Sequence, residues 1–208
     1  MTKDILLQQL QRDRHLKSKL VTKAFEAVDR ADFVPRAQET YAYVNSAISI
    51  GFQQTISQPQ VVAFLLELLD LKKGEKVLDI GSGSGWQAAL LSHAVGQSGK
   101  VVAIERLKSL IAFSEENIKK YPTLKKRISL IHADGAKGHS KDAPYDKIVA
   151  AAAVPSIPEE WKAQVKIGGK IVAPVESNIV CLEKISARKF KKKEYYGFAF
   201  VPLVSKAL

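Results

Sequence analysis

The residues best suited to chemistry in this chain form the run Gly81-Ser82-Gly83-Ser84-Gly85, entered directly from Val77-Leu78-Asp79-Ile80 and followed at once by WQAALLSHAV. A short β-branched run, a glycine cluster and an apolar helical stretch read as strand, tight turn and helix. Such a turn needs residues that tolerate unusual φ and carry no Cβ, so that backbone can approach a ligand at the carboxyl edge of a sheet. A second element joins it. VVAIE ends in Glu105, about 20 residues on, where a strand-end carboxylate can accept both hydroxyls of an adenosine ribose. A dinucleotide-binding turn reads G-x-G-x-x-G and seats a pyrophosphate on the helix N-terminus. This chain reads G-x-G-x-G and puts bulky Trp86 where the third glycine would stand. S-adenosylmethionine has no phosphate and needs only a tight turn against its methionine portion, so the spacing favours the methyl donor over NAD.

Two further positions invite a role. Asp134-Gly135 follows RISLIHA, where a carboxylate at the same sheet edge could accept from an adenine amino group; taken alone, it reads better as an ordinary Asp-Gly turn. Ser57-Gln58-Pro59 precedes VVAFLLELL and reads as a helix start, with Ser57 or Gln58 near the N-cap and Pro59 where a missing N–H costs little. On residue type alone, the cap is the better reading of Ser57. His15, His93, His132 and His139 show no metal-ligand spacing, and the lone Cys181 has no partner for a disulfide, so no metal is expected.

The elements that must hold these residues alternate along the chain. KLVTKAFEAVD (19–29) has helical spacing, while 41–56 shows no clear helical period. Strands are expected at 76–80, 101–105, 127–133, 145–152 and 170–175, with helical stretches between them. This interleaving predicts right-handed crossovers. The expected fold is α/β: a doubly wound, mostly parallel Rossmann-like sheet with helices on both faces and an N-terminal helical appendage. NIVCLEKISA and EYYGFAFVPLV, with a basic turn between them, are expected to pair antiparallel at one side of the sheet. The 208 residues suit one domain, with 1–58 as a helical, substrate-facing segment and 59–208 as the cofactor-binding core.

The formal charge of +11 concentrates at Lys119, Lys120, Lys125, Lys126 and Arg127 and again at Arg188, Lys189, Lys191, Lys192 and Lys193. Such a surplus suits nucleic acid or acidic substrates, but lysine runs usually make solvated helix ends and loops, and that is the reading adopted. AAAAVPSIP (150–158) lacks the Asn/Asp-Pro-Pro-aromatic cluster of amino-methylating enzymes, and Cys181 lacks a Pro-Cys context. Nucleic acid is therefore not the expected partner. No apolar stretch reaches the ~20 residues of a membrane span, and the N-terminus is unlike a signal peptide. A cytoplasmic monomer that does not engage membranes is expected.

Nearly the whole chain resembles the protein-L-isoaspartate O-methyltransferases. Val28-Asp29-Arg30 with Phe33-Val34-Pro35, Ala42-Tyr43, Ile50-Gly51 and Thr55-Ile56-Ser57-Gln58-Pro59 look like that family's N-terminal signature. VLDIGSGSGWQAALL, AIER, ADGAKG, PYDKI, Gly168-Gly169 and the near-terminal FVPL keep its order and spacing. The resemblance implies methyl transfer from S-adenosylmethionine to the free α-carboxylate of L-isoaspartyl residues in damaged proteins and peptides. It places the active-site serine on Ser57 and the cofactor contacts on Thr55, Ile56, Gly81, Ser82, Gly83, Gly85, Gln87, Glu105, Arg106, Asp134 and Gly135. The chain departs from the pattern at Asn45, Ala47 and Gln53, where Asp, Pro and Gly are common, at Ala151, where Thr is common, and at Glu176, where Gly is usual. The first three departures lie in the segment expected to face substrate.

Overall fold

The computed structural model describes residues 1–205. Two helices open the chain, α1 (Lys3–Arg12) and α2 (Lys19–Ala27). The first is not among the helices expected from the sequence, although Thr2 caps it through a bond from the Ile5 N–H and Leu6 and Leu10, four apart, are its buried pair. Helix α2 ends two residues before the expected Asp29, whose carboxylate instead accepts from the Ala31 N–H and starts a 3-10 turn at Arg30–Phe33.

The stretch without helical period becomes an antiparallel hairpin of β1 (Ile48–Gly51) and β2 (Gln54–Ile56). Helix α3 (Pro59–Leu69) follows, with Pro59 in its first turn. From there strands and helices alternate: β3 (Lys76–Ile80), α4 (Trp86–Val95), β4 (Lys100–Glu105), α5 (Lys108–Lys119), α6 (Pro122–Lys125), β5 (Ile128–His132), β6 (Tyr145–Ala150) and α7 (Glu159–Gln164). The chain then runs through β7 (Val165–Val175), β8 (Asn178–Lys184) and β9 (Phe190–Tyr196).

One seven-stranded sheet has the order β5-β4-β3-β6-β7-β8-β9. Strands β5, β4, β3, β6 and β7 run parallel, while β8 and β9 add antiparallel. This is the expected mostly parallel, doubly wound sheet. The expected last strand is displaced: β9 starts inside the basic run, so Lys191, Lys192 and Lys193 lie on an edge strand rather than in a turn. Exposed lysines on an edge discourage strand addition from other chains.

Side-chain alternation sends Val77, Val101, Val149 and Val172 to one face, against α2, α3 and α4, and Leu78, Ile80, Val102, Ile148 and Ile171 to the other, against Trp161 of α7. Helix α4 is buried almost all round because it lies between the sheet and α2. Chain order reverses between β3 and β6, the point where an open α/β sheet leaves a crevice at its carboxyl edge.

Candidate functional site

The carboxyl end of β3 enters the glycine turn at that crevice. Gly81, Gly83 and Gly85 all take positive φ, at 78°, 53° and 86°, which a side chain resists. Their tasks differ. A Cβ on Gly85 would lie 2.4 Å from Ser114 Oγ and 2.9 Å from Ile118 Cδ1, so this glycine lets the turn press against α5. Gly81 and Gly83 face the cleft itself.

Glu105, at the end of β4 and 8% exposed, ties the neighbouring turns together. One carboxylate oxygen accepts from the Gly83 N–H at 3.0 Å, and the other from the N–H groups of Arg106 and Leu107 at 2.8 and 2.9 Å. Beneath the turn lies Asp79, fully buried, accepting from Gln87 Nε2 at 2.7 Å. Burial pushes the Asp79 carboxyl up to about 7; the Gln87 amide opposes this and the charge of Glu105 adds to it. Nothing in the sequence singles out Asp79, because an acid inside a strand run gives no sign of its depth.

The opposite wall is the segment Gln54–Ser57. Its geometry removes one reading of Ser57, the helix cap. Gln58, not Ser57, is the N-cap of α3, and no side chain of the cap residue bonds the helix. The capping bond comes instead from Asn45, whose Oδ1 accepts from the Gln60 N–H at 3.1 Å while its Nδ2 donates to Gln60 Oε1 at 3.0 Å. The Ser57 hydroxyl, half-buried on the cleft wall, has no hydrogen-bond partner among the described residues.

The cleft has a volume of about 850 Å³ including its open mouth. It brings together Thr55, Ile56, Ser57, Gly81, Ser82, Gly83, Gln87, Glu105, Arg106 and Gly135 of the expected site residues. Gly85 and Asp134 are not on its lining. Asp134 has both oxygens engaged, by the Ala136 N–H at 3.0 Å and the Ser205 hydroxyl at 2.7 Å, whereas Gly135 presses so close to β3 that a Cβ would lie 2.6 Å from Ile80 Cγ2. Trp86, Leu107, Leu110 and the C-terminal segment Val201–Val204 are also on the lining, although none is among the site residues expected from the sequence. That segment is strapped down by bonds from Ala153 N–H to Val201 O at 2.8 Å and from Leu203 N–H to Ala153 O at 2.7 Å. FVPL is visible in the sequence, but nothing local to it reveals this long-range pairing.

Several buried polar atoms around the cleft have no hydrogen-bond partner among the described residues: Ser82 Oγ, Trp86 Nε1 and Gln87 Oε1 on its lining, and Asp79 Oδ2 beneath it. Buried orphans are rare in native folds and imply a ligand or water to satisfy them. A ligand with amine and carboxylate groups at one end and ribose hydroxyls in its middle, as S-adenosylmethionine has, matches orphans at the turn and a carboxylate at Glu105.

The family model described as protein-L-isoaspartate(D-aspartate) O-methyltransferase matches residues 1–208. The chain belongs to this family. A protein-L-isoaspartate O-methyltransferase of Methanococcus aeolicus is 43% identical over 195 residues, covering 92% of this chain and 89% of that one. The Methanothermobacter thermautotrophicus relative is 37% identical over 206 residues, covering 97% and 94%. A Plasmodium falciparum chain assigned to the same family, solved in complex with S-adenosyl-L-homocysteine, superposes with a TM-score of 0.88 at 25% identity, covering 98% of this chain and 99% of that one.

Family membership gives the departures a physical context. Gln53 and Glu176 take φ of 57° and 53° in the turns between β1 and β2 and between β7 and β8, so the glycine common at both positions answers a backbone demand. Asn45 is tied to Gln60, and Ala47 is exposed. Of the departures, Ala151 is the one on the cleft lining.

Proposed function

We propose that this cleft binds S-adenosylmethionine and transfers its methyl group to the free α-carboxylate of L-isoaspartyl residues in damaged proteins and peptides, with Ser57 holding the acceptor. The observation that carries the proposal is a free serine hydroxyl facing the same cleft as a glycine turn, a strand-end glutamate and buried polar atoms without partners. The Plasmodium relative holds S-adenosyl-L-homocysteine, the demethylated form of that donor.

The Gly81–Ser84 turn and Gln87 would hold the methionine portion of the donor, Glu105 the ribose hydroxyls, and the apolar wall of Leu107 and Leu110 with Gly135 the base. When bound, S-adenosylmethionine supplies a methyl group on a sulfonium, already a strong electrophile. The acceptor needs no general base, since a carboxylate with an ordinary pKa of about 4 is ionised at neutral pH. The protein must align the acceptor oxygen and strip most of its water while leaving enough hydrogen bonds to hold it. The Ser57 hydroxyl suits this because it donates one bond without neutralising the carboxylate. Strand β2 and the C-terminal strap line the cleft and would help to keep water from the bound acceptor. The methyl ester then loses methanol to a neighbouring backbone amide, giving a succinimide that hydrolyses partly back to aspartate without the enzyme.

In this reading the chain works as one methyltransferase unit, with 1–58 facing substrate and 59–208 holding the donor. Among the described residues no helix is long and apolar enough to cross a membrane. A monomeric state and a cytoplasmic address belong to the same proposal; light scattering and cell fractionation check them.

The test is incubation with labelled donor and either an isoaspartyl peptide or RNA. Label that enters the peptide and is released by mild base as methanol is the signature of a carboxyl ester and the expected outcome. Base-stable label in RNA with none in the peptide would replace the proposal with a nucleic-acid methyltransferase.

A further inference from the structure

Arg30 is 2% exposed, yet among the described residues its hydrogen-bond partners are main-chain carbonyls and none is a carboxylate. Nη1 donates to Ala42 O at 2.6 Å and Val44 O at 3.4 Å, while Nη2 donates to Ser46 O and Ser57 O, both at 3.0 Å. The guanidinium carbon also lies 5.3 Å from the centre of the Trp86 ring, within the range of a cation–π contact. Its Nε is buried with no partner among the described residues. Burial lowers its pKa to about 10, so it remains a cation at neutral pH. One buried charge therefore joins the loop at 42–46, the main chain of Ser57 and the first residue of the helix that leaves the glycine turn.

Carbonyl dipoles solvate such a cation but do not neutralise it, and burying an uncompensated charge is costly. A neutral donor could bridge loops at lower cost. The retained charge makes sense if an anion arrives beside it, and the group that the Ser57 reading brings there is a carboxylate.

Resting on that reading, we propose that Arg30 is a positioning residue for the methyl-accepting carboxylate: its guanidinium fixes the main chain of Ser57 and supplies the positive field that draws the anionic acceptor to the Ser57 hydroxyl. It acts through Ser57 and does not itself touch the acceptor.

The test compares two peptides by calorimetry in the presence of S-adenosyl-L-homocysteine: an isoaspartyl peptide, and the same peptide with a carboxamide in place of the α-carboxylate. The parent enzyme should prefer the carboxylate. Arg30→Gln should weaken the carboxylate peptide by about 10-fold or more, as loss of a nearby buried charge implies, and change the carboxamide peptide by less than about 2-fold. In kinetics its KM should rise more than its kcat falls. Arg30→Lys, which keeps the charge and loses the fork, should retain most of the preference. Equal weakening of both peptides in Arg30→Gln would reduce Arg30 to packing and overturn the proposal. If Arg30→Gln does not fold, Arg30→Lys decides alone, since a folded lysine variant that loses the preference overturns the proposal and one that keeps it supports it. A parent enzyme that binds neither peptide removes the functional reading itself.

Discussion

Ser57 stands where two roles readable from sequence diverge. A serine shortly before Pro59 is an ordinary helix cap, but the structure gives the cap position to Gln58 and the capping bond to Asn45, and the Ser57 hydroxyl has no partner among the described residues. Ser57→Ala should therefore leave stability within ~0.5 kcal/mol of the parent, as for a surface substitution away from a cap. Binding of S-adenosyl-L-homocysteine should be unchanged and methyl transfer to an isoaspartyl peptide reduced by about 10-fold or more, the scale of a lost hydrogen bond to a charged group. Normal turnover in the variant would detach Ser57 from the chemistry. Asp79 makes a different prediction. Its folded pKa of about 7 lies above the unsatisfied acid's ordinary value of 3.8, so the stability it contributes is complete below about pH 4 and lost as pH rises through about 7. Asp79→Asn cannot ionise, and its stability relative to the parent should improve by on the order of 4 kcal/mol between pH 4 and pH 8. Urea midpoints at both pH values measure this; a constant offset between the two proteins would mean that Asp79 does not titrate in that range.

At the scale of elements, the parallel strands were legible because burial on both faces leaves continuous β-branched runs such as VLDI and VVAI. The hairpin at 48–56 was not. Its strands are only 4 and 3 residues long, and its turn is Phe52-Gln53, both at positive φ, where Asn-Gly would have announced a hairpin. Strand β9 hid for a related reason: FKKKEYY has the composition of a basic loop because it is an exposed edge. The cofactor turn was legible from its glycines and from Glu105, while the C-terminal wall was not, since it is held by main-chain bonds to the distant Ala153. The turns also yield a stability prediction. Gln53→Gly and Glu176→Gly should each stabilise the fold by ~0.5–1 kcal/mol, the relief of left-handed strain exceeding the added freedom of the unfolded chain. Thermal melts of the two variants check this, and a lower Tm in both would show that the turns are not strained.

Over the whole molecule, the positive charge divides rather than gathers. One cluster lies on α5 and α6 beside the edge strand β5, and the other on the opposite edge strand β9, six strand intervals away, or roughly 30 Å. Part of it is locally answered, by Glu116 at Lys119, Asp32 at Lys120 and Glu194 at Lys192. The cleft, by contrast, sits at the carboxyl edge where chain order reverses between β3 and β6, so neither cluster defines its chemistry. What defines it is the α-carboxylate that an isoaspartyl linkage frees and a normal aspartyl linkage ties up in the main chain. The most direct measurement is the initial rate of methyl transfer to two peptides identical except for that linkage. The isoaspartyl form should be methylated at least ~100-fold faster, since a site built to hydrogen-bond one group rejects a partner lacking it. Equal rates on the two peptides, or none on the isoaspartyl form from protein that binds S-adenosyl-L-homocysteine, would contradict the account.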